Sequence, residues 1–190
     1  MVRSGAFLVR AGSLDRALFA RVARGRGPGL DRTLPRLSVA ANHAFLWVGA
    51  SAVLGVFGGS AGRRAAARGM GSVVVTSALV NLAVKRVVRR PRPGLWGVPA
   101  ARRLRVQPLT TSFPSGHAAS AAAFAVGAGV EAPRVGAALA PVAAAVAYSR
   151  IYVGVHYPGD VAAGAAIGAA VAALGRRVTV GVGRGIVALS

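Results

Sequence analysis

The chain has 190 residues, and 24 Lys and Arg against 4 Asp and Glu give it a formal net charge of +20. Apolar residues make up 54% of the chain, which excludes a disordered basic tail and, together with the low share of charged residues, favours a membrane protein. The sequence contains no cysteine, which excludes a disulfide framework, a thiol nucleophile and a cysteine-ligated metal site.

The first 36 residues are rich in arginine and contain no apolar run long enough to cross a bilayer. A helix is predicted over residues 14–25, with a possible N-cap at Ser13 and an apolar face formed by Leu14, Leu18, Phe19 and Val22. This amphipathic helix either lies on the membrane surface or packs as a first helix on the bundle.

Five apolar segments follow, and we predict that they are the membrane-spanning helices of an all-α, polytopic bundle. They comprise residues 38–59, 67–88, 116–131, 134–149 and 159–175. The last three are rich in alanine and glycine, and Gly164 and Gly168 form a GxxxG pair typical of helices that pack closely in membranes. The predicted domains are therefore a basic N-terminal segment (1–36), a membrane domain (37–177) and a C-terminal tail (178–190).

Two loops between these segments are polar, residues 89–115 and residues 150–158. In a bundle of five spans, both loops lie on the same side of the membrane. We therefore expect the chemically reactive side chains to converge on that side.

Three permanent cations would reach this side: Lys85, which is the only lysine of the chain, Arg92 and Arg150. Cations at the mouth of a membrane bundle are costly unless they are paired, and the chain has only four acidic residues. The shortage of internal partners indicates an external anion, and guanidinium groups match the oxygens of a phosphate. Contact with lipid headgroups accounts for many of the other arginines.

The segment Pro114-Ser115-Gly116-His117 stands where the third span begins. Backbone N–H groups at the start of a helix favour a bound anion, Gly116 allows close approach, and the Ser115 hydroxyl adds a donor. A simple helix cap is the alternative reading of Ser-Gly alone.

A nucleophile is predicted at His156. Pro158 suits the first turn of the fifth span, so His156 precedes that helix and Asp160 lies inside it. The spacing allows the Asp160 carboxylate to reach one ring nitrogen of His156, which would fix the tautomer and leave the other nitrogen free to attack. A purely structural histidine is the alternative. However, two of the three histidines, the only lysine and one of the four acids fall in these clusters.

The three clusters resemble the signature motifs of the type 2 phosphatidic acid phosphatase family, which shares its site with vanadium haloperoxidases. They read Lys85-x6-Arg92-Pro93, Pro114-Ser115-Gly116-His117 and Ser149-Arg150-x3-Gly154-x-His156-x3-Asp160, and all twelve defining positions match in order. The resemblance covers roughly residues 37–175. The N-terminal stretch also resembles the phosphatase half of bacterial proteins fused to a diacylglycerol-kinase-like domain.

The resemblance implies that His156 attacks phosphorus to form a phosphohistidine, that Asp160 orients it, and that His117 acts as general acid and then base. It also implies that the phosphate is held by Lys85, Arg92, Ser115, the Gly116 amide and Arg150. No metal or other cofactor is needed in this scheme, and apart from Asp160 the site offers no carboxylate for magnesium. Two histidines in opposite protonation states predict a bell-shaped pH–rate profile near neutral pH.

We therefore expect an integral-membrane lipid phosphate phosphatase that contacts a lipid phosphate substrate and anionic lipid headgroups, with no nucleic acid. Candidate substrates are phosphatidate, polyprenyl phosphates or diphosphates, phosphatidylglycerophosphate and polyprenyl-linked sugar phosphates. One alternative is a phosphotransferase that uses the same phosphohistidine. A second is a basic, non-catalytic protein that binds anionic lipid or nucleic acid, although the sequence lacks an aromatic and basic stacking surface.

The distribution of Lys and Arg predicts the orientation in the cell membrane. The side of the site carries 17 of them and the opposite side 7, and 14 against 7 remain when the three phosphate-binding cations are set aside. The positive-inside tendency therefore predicts a multi-pass protein whose active site faces the cytoplasm.

Overall fold

Helices make up most of the computed structural model, which describes the backbone of residues 2–25 and 27–187 and the side chains of residues 12–25, 27 and 29–175. The helices are α1 (Val2–Arg24), α2 (Pro28–Ala40), α3 (Phe45–Phe57), α4 (Gly59–Ala78), α5 (Lys85–Val87), α6 (Gly116–Glu131), α7 (Pro133–Tyr152) and α8 (Pro158–Val187). Short 3₁₀ turns lie at Asn42–Ala44 and Ala100–Arg102, and the π-helical segment Leu79–Val84 joins α4 to α5. No strand occurs within the described backbone, so the predicted all-α class is confirmed.

Helix α6 lies at the centre of the bundle, in contact with α4, α7 and α8. Most of its side chains are small, which lets the neighbouring backbones come close. A Cβ at Gly164 of α8 would collide with the carbonyl oxygen of Ser115, and one at Gly168 would collide with that of Ala119. The close packing predicted at the GxxxG pair is therefore confirmed, and it joins the starts of α6 and α8.

Four of the five predicted spans coincide with helices. The span predicted over residues 67–88 overlaps the continuous helical stretch Gly59–Val87, and the last three predicted spans correspond to α6, α7 and α8. Among the described residues, three helices are long and apolar enough to cross a membrane: Gly59–Val87, Pro133–Tyr152 and Pro158–Gly175. Helix α6 has only 16 residues and lies between the others. Helix α8 continues to Val187, so the predicted tail is helical as far as that residue.

The span predicted over residues 38–59 is not one continuous helix. Helix α2 ends at Ala40, α3 begins at Phe45, and the pair bends by 69°. Between them His43 and Ala44 have φ angles of 51° and 62°, a left-handed conformation that is unfavourable for residues with a Cβ. The segment is apolar on both sides of the break, so its average hydropathy hides the bend. Counting this pair as one bent span raises the number of candidate spans to four in the described part of the chain.

Helix α1 packs on the bundle, which is one of the two placements left open by the sequence. Phe19 and Ala23 are buried in a cluster with residues of the loop and of α6, α7 and α8, whereas Leu14 and Leu18 are 61% and 44% exposed. The helix is also longer than predicted: it begins at Val2, so Ser13 lies inside it and does not cap it.

The loop between α5 and α6 is fixed to the N-terminal helices by Arg102, which is 1% exposed. Its guanidinium donates hydrogen bonds to the carbonyl oxygens of Val22, Ala23 and Gly25 at the end of α1 and pairs with Asp31 of α2. The last carbonyls of a helix have no partner within it and carry the negative end of its dipole, so Arg102 stabilises the end of α1. The same contacts fix this part of the loop against α1 and α2.

Candidate active site

A cavity of about 310 Å³ opens where α6 and α8 begin and where α5 and α7 end. Six of the eight predicted site residues line it, and they come from all three motifs: Lys85, Arg92, Gly116, His117, Arg150 and His156. The other two, Ser115 and Asp160, are fully buried behind its wall. The fold thus brings the three motifs to one cavity.

A tight turn after α7 places His156 in this cavity. Gly154 has a φ of 82°, which glycine adopts without strain, and a Cβ there would lie 3.0 Å from side-chain atoms of Leu95 and Val98. The backbone N–H groups of Val155 and His156 both donate to the carbonyl oxygen of Arg150. A glycine is therefore required at position 154, both by its positive φ angle and by the neighbouring side chains that leave little room for a Cβ atom.

The two ring nitrogens of His156 face different partners. Nε2 accepts a hydrogen bond from Arg92 Nη1 at 3.2 Å, so the proton of the neutral ring is on Nδ1. Nδ1 lies 3.7 Å from Asp160 Oδ2, which is longer than a hydrogen bond but close enough for a strong electrostatic interaction. Nε2 is therefore the ring nitrogen without a proton, and Nδ1 is the one that faces Asp160, as expected from the i,i+4 spacing.

Asp160 is held from several directions. Its carboxylate accepts hydrogen bonds from Ser112 Oγ, from the Tyr157 N–H at 2.9 Å and from Arg90 Nη1 at 2.7 Å. Its backbone carbonyl accepts from the Ser115 N–H at 2.9 Å, which links α8 to the N-cap of α6. Ser115 therefore joins two of the motifs through its backbone and is not in the wall of the cavity.

Two residues beside the site, Arg90 and Asp15, were not predicted from the sequence. Arg90 bridges Asp160 and Asp15 of α1, each at 2.7 Å, and Asp15 also accepts the Gly159 N–H at the start of α8. Burial alone would lower the pKa of Arg90, but the two carboxylates outweigh it and raise that pKa. No sequence signal identifies this pair, because Asp15 lies 75 residues before Arg90 and outside every motif.

His117 has a partner that was also missed. Its Nε2 lies 2.8 Å from Asn42 Oδ1 in the break between α2 and α3. An amide oxygen can only accept, so Nε2 of His117 carries the proton and donates it. A polar Asn-His pair inside an otherwise apolar segment is the signal that could have identified this position.

The three cations of the cavity are held by the protein in different ways. Arg92 donates to the carbonyl oxygens of Thr110 and Val155 at 2.8 and 2.7 Å and also contacts the Thr110 hydroxyl. Lys85 Nζ lies 3.5 Å from that hydroxyl. Arg150 is 2% exposed and donates to Ser38, but its buried Nε has no hydrogen-bond partner in the described structure. An unpaired buried guanidinium N–H is costly, and a bound anion would relieve that cost.

Within the described part of the chain, no three His, Asp or Glu side chains are grouped so that they could hold a metal ion. The donors around the cavity are cations and neutral imidazoles, which match the oxygens of a phosphate.

The surroundings of His156 set the protonation state of this predicted nucleophile. Burial lowers its pKa to about 4, and the cations of Arg92 and Arg150 add to this effect while Asp160 opposes it. We expect kcat/KM to fall as the pH drops through about 4, because protonation removes the attacking lone pair. This acidic limb lies well below the neutral range expected from the sequence.

Replacement of Arg92 tests the cause of this low pKa. In Arg92→Met the loss of a neighbouring cation raises the pKa of His156, so the acidic limb of the profile should move to higher pH while the rate falls. Profiles of kcat/KM would be measured over brief exposures, with recovery of activity at neutral pH as the control for unfolding. A limb that stays in place or moves to lower pH would contradict this assignment.

The chain is similar in sequence to one protein superfamily and to several bacterial phosphatases. Residues 66–183 match the model of the PAP2 superfamily. The chain is 38% identical to decaprenylphosphoryl-5-phosphoribose phosphatase of Mycobacterium tuberculosis over 150 residues, which cover 77% of this chain and 79% of the relative. The protein of the same name from Mycolicibacterium smegmatis is 39% identical, with 72% of each chain covered. Lipid A 1-phosphatase of Rhizobium johnstonii is 36% identical over 52% of this chain and 41% of the relative.

Two solved structures share the fold. Aquifex aeolicus LpxE superposes with a TM-score of 0.67 and 26% identity, covering 86% of this chain and 95% of that one. A transmembrane PAP2 type phosphatidylglycerolphosphate phosphatase from Bacillus subtilis gives a TM-score of 0.67 at 23% identity, with coverage of 90% and 86%. With a family model that matches more than half of its residues, and two relatives matched over most of their length, the chain belongs to the PAP2 superfamily and is a membrane lipid phosphatase.

Proposed function

We propose that this protein removes the terminal phosphate of a polyprenyl-linked sugar phosphate through a phosphohistidine on His156. The observation that carries this proposal is the cavity in which Lys85, Arg92 and Arg150 surround the unprotonated Nε2 of His156. The substrate class is supported by the similarity to the two decaprenylphosphoryl-5-phosphoribose phosphatases.

In the first step, Nε2 of His156 attacks the phosphorus of the substrate while the bond to the leaving sugar oxygen breaks. Arg92 lies next to Nε2, so a phosphate oxygen bound to its guanidinium brings the phosphorus within reach of the attacking lone pair. Lys85 and Arg150 neutralise the charge that develops on the other oxygens, with the Gly116 backbone beside them. Asp160 stabilises the positive charge that forms on the imidazole.

His117 supplies the proton to the leaving oxygen. Its Nε2–H is held by Asn42, so Nδ1 carries no proton in the free enzyme. Nδ1 takes up the proton of a singly protonated phosphate group as the substrate binds, and it gives this proton to the leaving sugar oxygen. In the second step His117 accepts a proton from water, the water oxygen attacks phosphorus, and the bond to His156 breaks. The products are inorganic phosphate and the dephosphorylated lipid, and His156 returns to its neutral form. The three cations provide the charge neutralisation, so no step requires a metal ion.

Replacing the nucleophile tests this mechanism. We expect His156→Ala to lower kcat by a factor on the order of 10⁴, because the variant lacks the group that forms the covalent intermediate. Phosphate release would be measured in detergent with a metal chelator on phosphatidate, undecaprenyl phosphate, phosphatidylglycerophosphate and a polyprenylphosphoryl ribose 5-phosphate. Acid-labile labelling of the protein by radioactive substrate should appear in the wild type and be absent from the variant.

The matched control is His43→Ala, which removes the third histidine from the wall of the same cavity. We expect it to cost less than about tenfold in kcat, since it removes neither nucleophile nor proton donor. Retention of most activity by His156→Ala would overturn the role of this residue, and loss of wild-type activity in the chelator would overturn metal independence.

The arginine distribution supports a multi-pass protein of the cell membrane whose site faces the cytoplasm and contacts anionic headgroups there. The natural chain has no cysteine, so single cysteines can be introduced for labelling in intact cells. Leu109→Cys, in the fully exposed part of the loop beside the site, should be protected from an impermeant maleimide until the cells are permeabilised. Arg134→Cys, at the opposite end of the bundle, should be labelled from outside, and the reverse pattern would exclude this orientation.

A further inference from the structure

We propose that a groove beside the catalytic cavity binds a second phosphoryl group of the same substrate, a phosphodiester that joins the sugar to the lipid, together with the first part of the lipid chain. This inference rests on the proposed function and specifies its substrate. It concerns residues that belong to none of the three motifs.

The groove has a volume of about 680 Å³ and lies between α2 and residues 101–106 of the loop. It shares Asn42, Leu104 and Val106 with the wall of the catalytic cavity, so the two spaces adjoin. A single extended molecule can therefore occupy both, with its terminal phosphate at His156 and the rest of the molecule in the groove.

The charge of the groove matches an anion. Arg36, Arg103 and Arg105 line it, and no acidic residue does. Arg103 is tied to the carbonyl oxygens of Leu95 and Val98, but Arg36 and Arg105 have no hydrogen-bond or ion-pair partner among the residues that the structure describes. Asp31 of α2 is already engaged by Arg102 and Tyr152, so it does not neutralise them.

The remaining surface of the groove is apolar. Pro35, Val39 and Ala40 of α2 face Leu104 and Val106 of the loop, and Val39 and Val106 are 53% and 83% exposed. A free phosphate would leave these side chains uncovered, and a separate headgroup would not need a wall in common with the catalytic cavity. A lipid joined to its sugar through a phosphodiester accounts for the cations, the apolar surface and the shared wall together.

The test uses two synthetic substrates that differ only in this linkage. One is farnesylphosphoryl ribose 5-phosphate, and the other is a farnesyl riboside 5-phosphate in which a neutral ether replaces the phosphodiester. Both have the same cleavable phosphate, sugar and chain. With the protein in nanodiscs, the wild type should have a KM for the diester about tenfold lower than for the ether, as expected for a charged hydrogen-bonded contact.

The variant Arg36→Gln/Arg105→Gln should lose this preference. We expect its KM for the diester to rise about tenfold while kcat changes little, because the arginines contact a part of the substrate that does not react. Its KM for the ether should change by less than about twofold, since that lipid has no second phosphate for these arginines to hold. The matched control is Arg32→Gln/Arg89→Gln, which removes two exposed cations from α2 and the same loop, outside both cavities.

An equal KM for the two lipids in the wild type, or a rise of the same size for both in the groove variant, would overturn the inference while leaving the phosphatase function intact. If the wild type cleaves neither lipid, the proposed substrate class fails. Binding of the two lipids to His156→Ala then decides the inference: tighter binding of the diester that disappears with Arg36→Gln/Arg105→Gln supports it, and equal binding overturns it.

Discussion

Asp160→Asn is expected to lower kcat by about four orders of magnitude, a loss comparable to that of other orienting carboxylates. The amide cannot stabilise the positive charge that His156 acquires when it attacks, and it can donate a proton toward Nδ1 where an acceptor is required. The carboxylate is fully buried and accepts from Arg90, Ser112 and the Tyr157 N–H, so the substitution also disturbs its surroundings. Since Arg90 keeps only Asp15 as a charged partner, we expect a loss of about 3 kcal/mol in the free energy of unfolding.

Glu131→Gln is the matched control for this experiment. Glu131 is likewise paired with arginine, through Arg68 at 2.9 Å, but it lies at the opposite end of α6 from the site. Its replacement should leave kcat within about twofold of the wild-type value. It should lower the free energy of unfolding by less than Asp160→Asn does, because the Glu131–Arg68 pair is partly exposed. Steady-state kinetics and thermal unfolding in detergent would be measured for both variants. A kcat for Asp160→Asn above about a tenth of the wild-type value would refute the orienting role.

The second large effect is expected at the contact between α6 and α8. Gly168→Val should reduce the free energy of unfolding by about 3 kcal/mol or more, because its Cβ would collide with the Ala119 carbonyl oxygen and backbone cannot yield as a side chain can. Separation of the two helices would also move His117 away from His156. The yield of monodisperse protein and the midpoint of thermal unfolding would measure the loss.

Gly71→Val is the control that tests whether replacing a helical glycine by valine lowers stability at any position in the bundle. A Cβ at Gly71 of α4 meets no atom within 4 Å, so the change should alter stability by no more than about 1 kcal/mol and could raise it through better helix propensity. Equal losses from the two variants would indicate that close packing at Gly168 is not the cause.

Much of the site could be predicted because its chemistry is local in sequence. The spacing of His156 and Asp160, the proline that starts α8 and the glycine at the turn specify where these side chains lie once a helix begins at Pro158. Likewise, α6 begins at Gly116 with Ser115 as its N-cap, as the Ser-Gly-His segment predicts. The convergence of the motifs then follows from spans of alternating direction.

The parts that could not be predicted depend on contacts between distant segments. Asp15 of α1 holds Arg90 in position, and Asn42 holds His117 in position. The two residues of each pair are 75 positions apart in the sequence.

The bend at residues 41–44 was missed for a different reason. Hydropathy measures how apolar a segment is and carries no information on backbone direction, so two short helices at 69° give the same profile as one span.

All four carboxylates of the chain form ion pairs with arginine: Asp15 and Asp160 with Arg90, Asp31 with Arg102, and Glu131 with Arg68. None is left to face Lys85, Arg92 and Arg150 across the cavity. A single mutation that placed an aspartate or glutamate on this wall would therefore install a tethered competitor for the phosphate, present at a high effective concentration in every molecule. We therefore expect mutations to aspartate or glutamate in the wall of the cavity to lower the activity, whereas additional arginines on the exposed surface should have little effect.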